Sequence, residues 1–295
     1  MEKAKVYFTK DLSPKGLMKV YEALGIQLNG KVGVKISTGE MGGHNYLKPE
    51  LIGDLVDHLN GTIVECCTAY GGSRQDVSKH WDTIRAHGFS PRFKVDILDE
   101  FGEFNIPVYH GKHLAYDTIG DHCKNYDSVL LLSHFKGHMM GGFGGALKNM
   151  SIGFASTAGK LNIHSAGAEN QEQNYVWSHL PAQDDFLESM ADACKAVMAY
   201  YGSRNMAYIN VANRLSVDCD CDSNPAEPEM ADIGIFASLD PVAIDQACYD
   251  AVKNSNDPGK AALIERMDSR HAIHTVETAY EHGLGVREYE LIDLD

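Results

Sequence analysis

The chain has 295 residues, with Lys plus Arg at 26 against Asp plus Glu at 41, a formal charge of −15. Hydrophobic residues at 44% and charged residues at 23% are ordinary for a globular protein, which excludes collagen-like, disordered and coiled-coil classes. A field of this sign repels phosphate backbones and anionic lipid, so no nucleic acid and no membrane is expected as a partner.

No run of 18 apolar residues occurs, and the opening MEKAKVYF lacks the apolar core of a signal peptide. Seven cysteines, an odd number with Cys66 and Cys67 adjacent, do not read as a disulfide framework. A reducing, cytoplasmic setting is expected, with thiols free for packing or metal.

The elements alternate. AKVYF (4–8) reads as a strand. Ser13 then Pro14 start a helix, Leu17, Met18, Tyr21 and Leu24 recur at helical spacing, and Gly25 ends it. VGVKI (32–36) is a strand. Leu51, Ile52, Leu55, Val56 and Leu59 mark a helix after Pro49. TIVECC (62–67), KVDIL (94–98) and SVLLLS (128–133) add strands. Phe186, Met190, Cys194, Val197 and Tyr201 fit a helix, and AYINV (207–211) and IGIFAS (233–238) fit strands. Asp240 then Pro241 open a further helix to Val252. This alternation predicts an α/β protein, with parallel or mixed sheets covered by helices on both faces and two packed lobes, 1–140 and 141–295.

Ligands in such sheets sit beyond the carboxyl ends of strands, so the segment after each strand is where chemistry is expected. After SVLLLS comes SHFKGHMMGGFGGALKNM, with His134, Lys136, His138 and Lys148 as candidate acid/base and anion-holding residues. Gly141, Gly142, Gly144 and Gly145 allow close backbone approach, and a glycine-rich turn opening into a helix offers amides to an anion. The alternative is a tight turn with solvated His and Lys side chains.

After AYINV comes VDCDCDS. If the strand continues, alternation puts Cys219 and Cys221 on one face and Asp218 and Asp220 on the other. The thiols suit a soft metal and the carboxylates a hard one, with His134 or His138 completing the set; two packed thiols beside a solvated acidic turn is the other reading. Arg74 comes after TIVECC and could fork onto a carboxylate or phosphate, unless its loop is an ordinary connection. Lys35 in an apolar strand either sits at an edge with its ammonium in water or is buried and needs a partner. His110, His113, His164, His271 and His274 read as surface or core histidines.

These stretches, together with VKISTGEMGGHNYLKPELI, YGGSRQDVSKH and DIGIFASLDPVAIDQACYD, resemble the family called "domain of unknown function 362". The resemblance spans most of the chain and implies one family domain over 1–295. Many relatives carry a ferredoxin-like insert after the position of His164, where this chain reads SAGAENQEQNYVWSHLPAQDD without cysteine. No iron–sulfur cluster of the ferredoxin type is therefore expected. HMMGGFGGALK is also similar to the glycine-rich motif of lactate racemase-type proteins, which implies proton transfer at His138 and cofactor holding at Lys148.

The resulting expectation is a metal-dependent enzyme acting on a small anionic substrate, of isomerase/racemase-like or oxidoreductase type. Its metal would be a divalent or transition ion. The alternative is a non-enzymatic metal-binding or redox accessory protein, docking to a redox or metal-delivery partner.

Overall fold

The computed structural model describes residues 3–295. β1 (Ala4–Thr9) leads into α1 (Pro14–Ala23), where the Ser13 hydroxyl accepts the Gly16 N–H and Pro14 takes a first-turn position that needs no N–H. β2 (Val32–Lys35), α2 (Pro49–His58), β3 (Thr62–Glu65), α3 (Val77–Ala86) and β4 (Val95–Ile97) continue the alternation. A hairpin of β5 (Glu103–Pro107) and β6 (Tyr116–Gly120) precedes β7 (Ser128–His134), which is buried along its whole length. A second, short hairpin of β8 (Lys136–His138) and β9 (Gly142–Gly144) runs into α4 (Ala146–Phe154). Then come α5 (Thr157–His164), α6 (Gln173–Ser178), α7 (Gln183–Tyr201), β10 (Met206–Ala212) and β11 (Gly234–Ser238). The chain closes with α8 (Pro241–Asn254), α9 (Lys260–Ser269), α10 (Ile273–Glu281) and β12 (Tyr289–Asp293).

Eight strands form one sheet in the order β12-β1-β11-β10-β7-β2-β3-β4. β7 lies parallel to β2 on one side and to β10 on the other, and β11 runs against both of its neighbours. The pleat of β7 divides the core. Leu130 and Leu132 pack with Leu17, Ile52 and Ile84 of α1, α2 and α3. Val129 and Leu131 pack with Met150, Phe186 and Ile244 of α4, α7 and α8. Both faces are thus helix-covered, as the near-continuous apolar strands require. The two expected lobes share this sheet, because β7 of 1–140 pairs with β10 of 141–295.

The crossover after β2 passes over one face through α2, and the crossover after β7 passes over the other through α4 and α7. β2 and β7 are neighbours, so the two connections part above their carboxyl ends and open a crevice there. Among the described residues no helix is long and apolar enough to cross a membrane.

Candidate functional site

A cavity of about 620 Å³ fills this crevice. Lys35, Glu65 and His134, each the last residue of its strand, form its floor. Lys136, Gly144 and Lys148 supply one wall, Cys219 and Cys221 another, and Lys160 and His164 of α5 a third.

Lys35 lies on an interior strand and is only 2% exposed, so the edge reading fails. Its Nζ donates to the Ile36 carbonyl at 2.8 Å and to Asn149 Oδ1 at 3.3 Å, with no carboxylate among the described residues within ion-pair distance. Burial pushes this ammonium down to about 8, and the Glu65 charge is the chief group opposing it.

Arg74 lines the cavity, but its fork is already filled. Nη1 meets Glu65 at 2.6 Å, Nη2 meets the Tyr70 hydroxyl at 3.1 Å, and Nε faces Glu40 at 3.5 Å. Glu65 also holds His80 Nε2 at 2.9 Å. Burial works against the Glu65 charge, yet Arg74 and then His80 hold that carboxyl well below the usual range. The expected anion fork at Arg74 is therefore a buried internal ion pair.

The glycine-rich segment is not an open phosphate-type loop. Gly142 turns the β8–β9 hairpin with φ of 76°, and Gly145 precedes α4. The first amides of α4 are occupied: Ala146 N–H and Leu147 N–H donate to the two oxygens of Asp245, at 2.8 and 2.9 Å. A side chain at Gly145 would put its Cβ 2.4 Å from Asp245 Oδ1, so glycine here makes room for an internal carboxylate. The expected amide cradle is thus filled by the chain itself. Gly144 and Gly145 line the cavity, while Gly141 and Gly142 do not.

His134, expected as a free acid/base or ligand, has both ring nitrogens engaged. Nδ1 meets Asp220 Oδ1 at 2.8 Å and Nε2 meets the Asn213 carbonyl at 2.7 Å. Lys136 approaches the other Asp220 oxygen at 3.4 Å, an ion-pair contact that lacks hydrogen-bond geometry. Burial works against the Asp220 charge, but His134 and Lys136 hold its carboxyl below the ordinary value.

The strand carrying DCDCDS ends early. β10 stops at Ala212, and residues 217–223 form a turn closed by the Asp222 N–H on the Cys219 carbonyl at 2.9 Å. Strict alternation therefore does not apply. Cys219, Cys221 and His138 converge, with one ligand atom from each within 4.8 Å of the others, as a candidate metal-binding group. Asp218 and Asp220 do not join it. Asp218 holds Arg266 at 3.3 Å and caps the Ala226 N–H, and Asp220 is taken by His134 and Lys136.

His138 Nδ1 accepts the Gly141 and Met140 N–H groups at 2.8 and 3.2 Å, which leaves the ring proton on Nε2. Burial and then Lys148 push this histidine down to about 4, so it is neutral at pH 7. The Cys221 thiol, then Lys136 and Lys148, hold Cys219 well below the ordinary thiol range against a burial that raises it.

Lys148 has no ion pair and no side-chain hydrogen bond among the described residues. Lys160 gives its ammonium to the Ala155 carbonyl at the end of α4 and meets no carboxylate among the described residues. Sequence reasoning misses Lys160 and His164 as site residues, although their four-residue spacing on one short helix is an available signal. It also misses Asn149, Glu65 and Asp245, whose roles depend on contacts across the fold.

A search of curated proteins finds no match. Among solved structures, the lactate racemase apoprotein from Thermoanaerobacterium thermosaccharolyticum aligns at 14% identity with a TM-score of 0.44, over 83% of this chain and 56% of that one. A protein from Thermotoga maritima aligns at 14% identity and 0.40, over 81% and 58%. The chain spans little more than half the length of these two structures, and at such scores neither likeness bears on its activity. The family model described as "Domain of unknown function (DUF362)" matches residues 32–250, about three quarters of the sequence, and the chain belongs to that family.

Proposed function

We propose that the protein is a metal-dependent enzyme acting on a small anionic substrate held in the cavity above β2 and β7. One observation carries this reading. Lys35, Lys148 and Lys160 line a single cavity, and among the described residues none has a carboxylate within ion-pair distance. Lys35 and Lys160 are buried and Lys148 is half-buried; ammonium groups held so far from water without counter-charges are costly, and an anion entering the cavity supplies the missing partner. A carrier of metal or electrons has no use for such a set.

The donor chemistry supports a soft or borderline metal ion: two sulfurs and an imidazole nitrogen, three protein ligands with a face open to the cavity. Such an ion would polarise an oxygen of the substrate. His138 would offer Nε2 to the ion only with its proton moved to Nδ1, away from the Met140 and Gly141 N–H groups that Nδ1 now accepts. Because the two cysteines would bind as thiolates, metal uptake at this site would release thiol protons and weaken as pH falls. Around it, Lys148 holds the anion, Lys136 keeps Asp220 and the 219–221 turn in place, and Gly144 lets both ammonium groups approach.

The test has two arms. Protein purified without added metal is analysed for bound elements, with Cys219→Ser as control; metal in the wild type that the variant lacks is expected. Small carboxylates and inorganic phosphate are titrated against wild type and Lys148→Met. Loss of one charge-assisted hydrogen bond costs about 1.5–3 kcal/mol, roughly ten- to a hundredfold in affinity, with the melting temperature unchanged. No metal in any preparation and no anion bound by the wild type would refute the reading.

A further inference from the structure

We infer that the cavity is built for an elongated ligand with an anionic group at each end, held along α4; this rests on the anionic-substrate reading above.

The cations are not scattered. They stand at two levels beside α4. At its start, the position a Gly144 Cβ would take is 3.1 Å from Lys136 Nζ and 3.5 Å from Lys148 Cδ. At its end, Lys35 Nζ lies 2.9 Å from the position a Gly153 Cβ would take, and Lys160 Nζ rests on the Ala155 carbonyl. From Ala146 to Gly153 the helix rises roughly 10 Å, with Gly144 two residues before its start. Subtracting about 2.8 Å for an ammonium–oxygen contact at each end leaves roughly 5 Å between the anionic groups. The stretch between the two levels is lined by Asn149 and Ile152, an amide and an aliphatic side chain, which suits a chain of carbons.

Gly153 is the second sign that this arrangement is built. Glycine inside a helix is disfavoured relative to alanine. Here a side chain would meet both Asn149 and Lys35. The lower end is thus kept open for an ammonium that reaches across from the sheet.

The count of charges agrees. Arg74 is matched by Glu65 and Glu40, and Lys136 by Asp220. Lys148 at one end and Lys35 with Lys160 at the other remain unmatched. A monoanion held at Lys148 would leave Lys35 and Lys160 uncompensated in the interior.

The experiment compares hexanoate, adipate and 5-phosphonopentanoate by calorimetric titration of the full chain, with acetate as the short reference. Adipate or 5-phosphonopentanoate is expected to bind at least tenfold tighter than hexanoate, and the tighter of the two identifies the end group. Lys35→Met, which removes an uncompensated buried charge, is expected to bring the two-ended probes down to the hexanoate value; Lys160→Met serves as the second variant should the first not fold. If hexanoate and both two-ended probes bind the wild type alike, or if the advantage survives in both variants, the inference is overturned. Hexanoate binding that Lys148→Met abolishes would, in that event, leave the anionic-substrate reading standing. Failure of every probe to bind would refute both.

Discussion

Gly153 shows how one residue ties helix stability to the site. In an ordinary exposed helix Gly→Ala stabilises by about 1 kcal/mol. Here an alanine Cβ would lie 2.7 Å from Asn149 Oδ1 and 2.9 Å from Lys35 Nζ, so one of the two must shift. Asn149 holds the Lys35 carbonyl through Nδ2 at 2.9 Å while its Oδ1 accepts from the same residue's ammonium. Displacing either group breaks a two-way clasp between β2 and α4. Gly153→Ala is therefore expected to show no gain in melting temperature and at least a tenfold loss of affinity for two-ended anions. A variant that melts higher and binds normally would show that the gap serves no purpose.

At the scale of elements, α7 carries Asp184, Glu188 and Asp192 four residues apart on one face, and each meets a histidine near α10. His271 lies 2.7 Å from Asp184, His274 lies 3.1 Å from Glu188, and His282 lies 2.7 Å from Asp192. Glu188 also holds Lys112 at 2.8 Å and His113 at 2.7 Å, clasping the loop after β5 to the same helix. Burial alone would raise the Glu188 carboxyl, but Lys112, His113 and His274 bring it down to about 2. A lowered carboxyl stabilises the fold above its unfolded value and loses that contribution as pH falls toward the folded one. Glu188→Gln is expected to cost about 1–2 kcal/mol at pH 7, the side chain being part-exposed to solvent. The difference from wild type should shrink between pH 4.5 and pH 2 in acid-unfolding curves; a difference independent of pH would assign Glu188 to packing.

The same scale separates what is legible in the sequence from what is not. β7, β10 and the capped helices α1 and α8 announce themselves by apolar runs and by Ser13–Pro14 and Asp240–Pro241. β8 and β9 do not, since Lys-Gly-His and Gly-Phe-Gly have no strand character of their own and become strands by pairing. The approach of His138 to Cys219 and Cys221 is legible because the segments that carry them come after β7 and β10, two neighbouring parallel strands of the mixed sheet. The occupancy of the α4 amides by Asp245 is not, because nearly a hundred residues separate the partners. Nor is the burial of Lys35, which depends on β2 being an interior strand.

The whole molecule sets two opposing fields. Its formal charge is −15, so at long range it repels any anion. Its cavity gathers Lys35, Lys148 and Lys160, so at short range it attracts one. The two terms respond differently to salt. Exposed charges are screened beyond about 8–10 Å at physiological ionic strength, whereas buried ones are screened far less. Raising salt from low to physiological strength should therefore weaken the outer repulsion more than the inner attraction. Association of a dianion such as adipate is expected to become faster over that range, with dissociation nearly constant, so that affinity rises slightly. Steering by like charge has the reverse sign from the familiar case, in which salt slows the encounter of opposite charges. Stopped-flow binding at stepped ionic strength measures this directly. Slower association with added salt would mean that the approach is governed by cations at the mouth, with the exposed Arg270 beside the cavity as the first residue to replace.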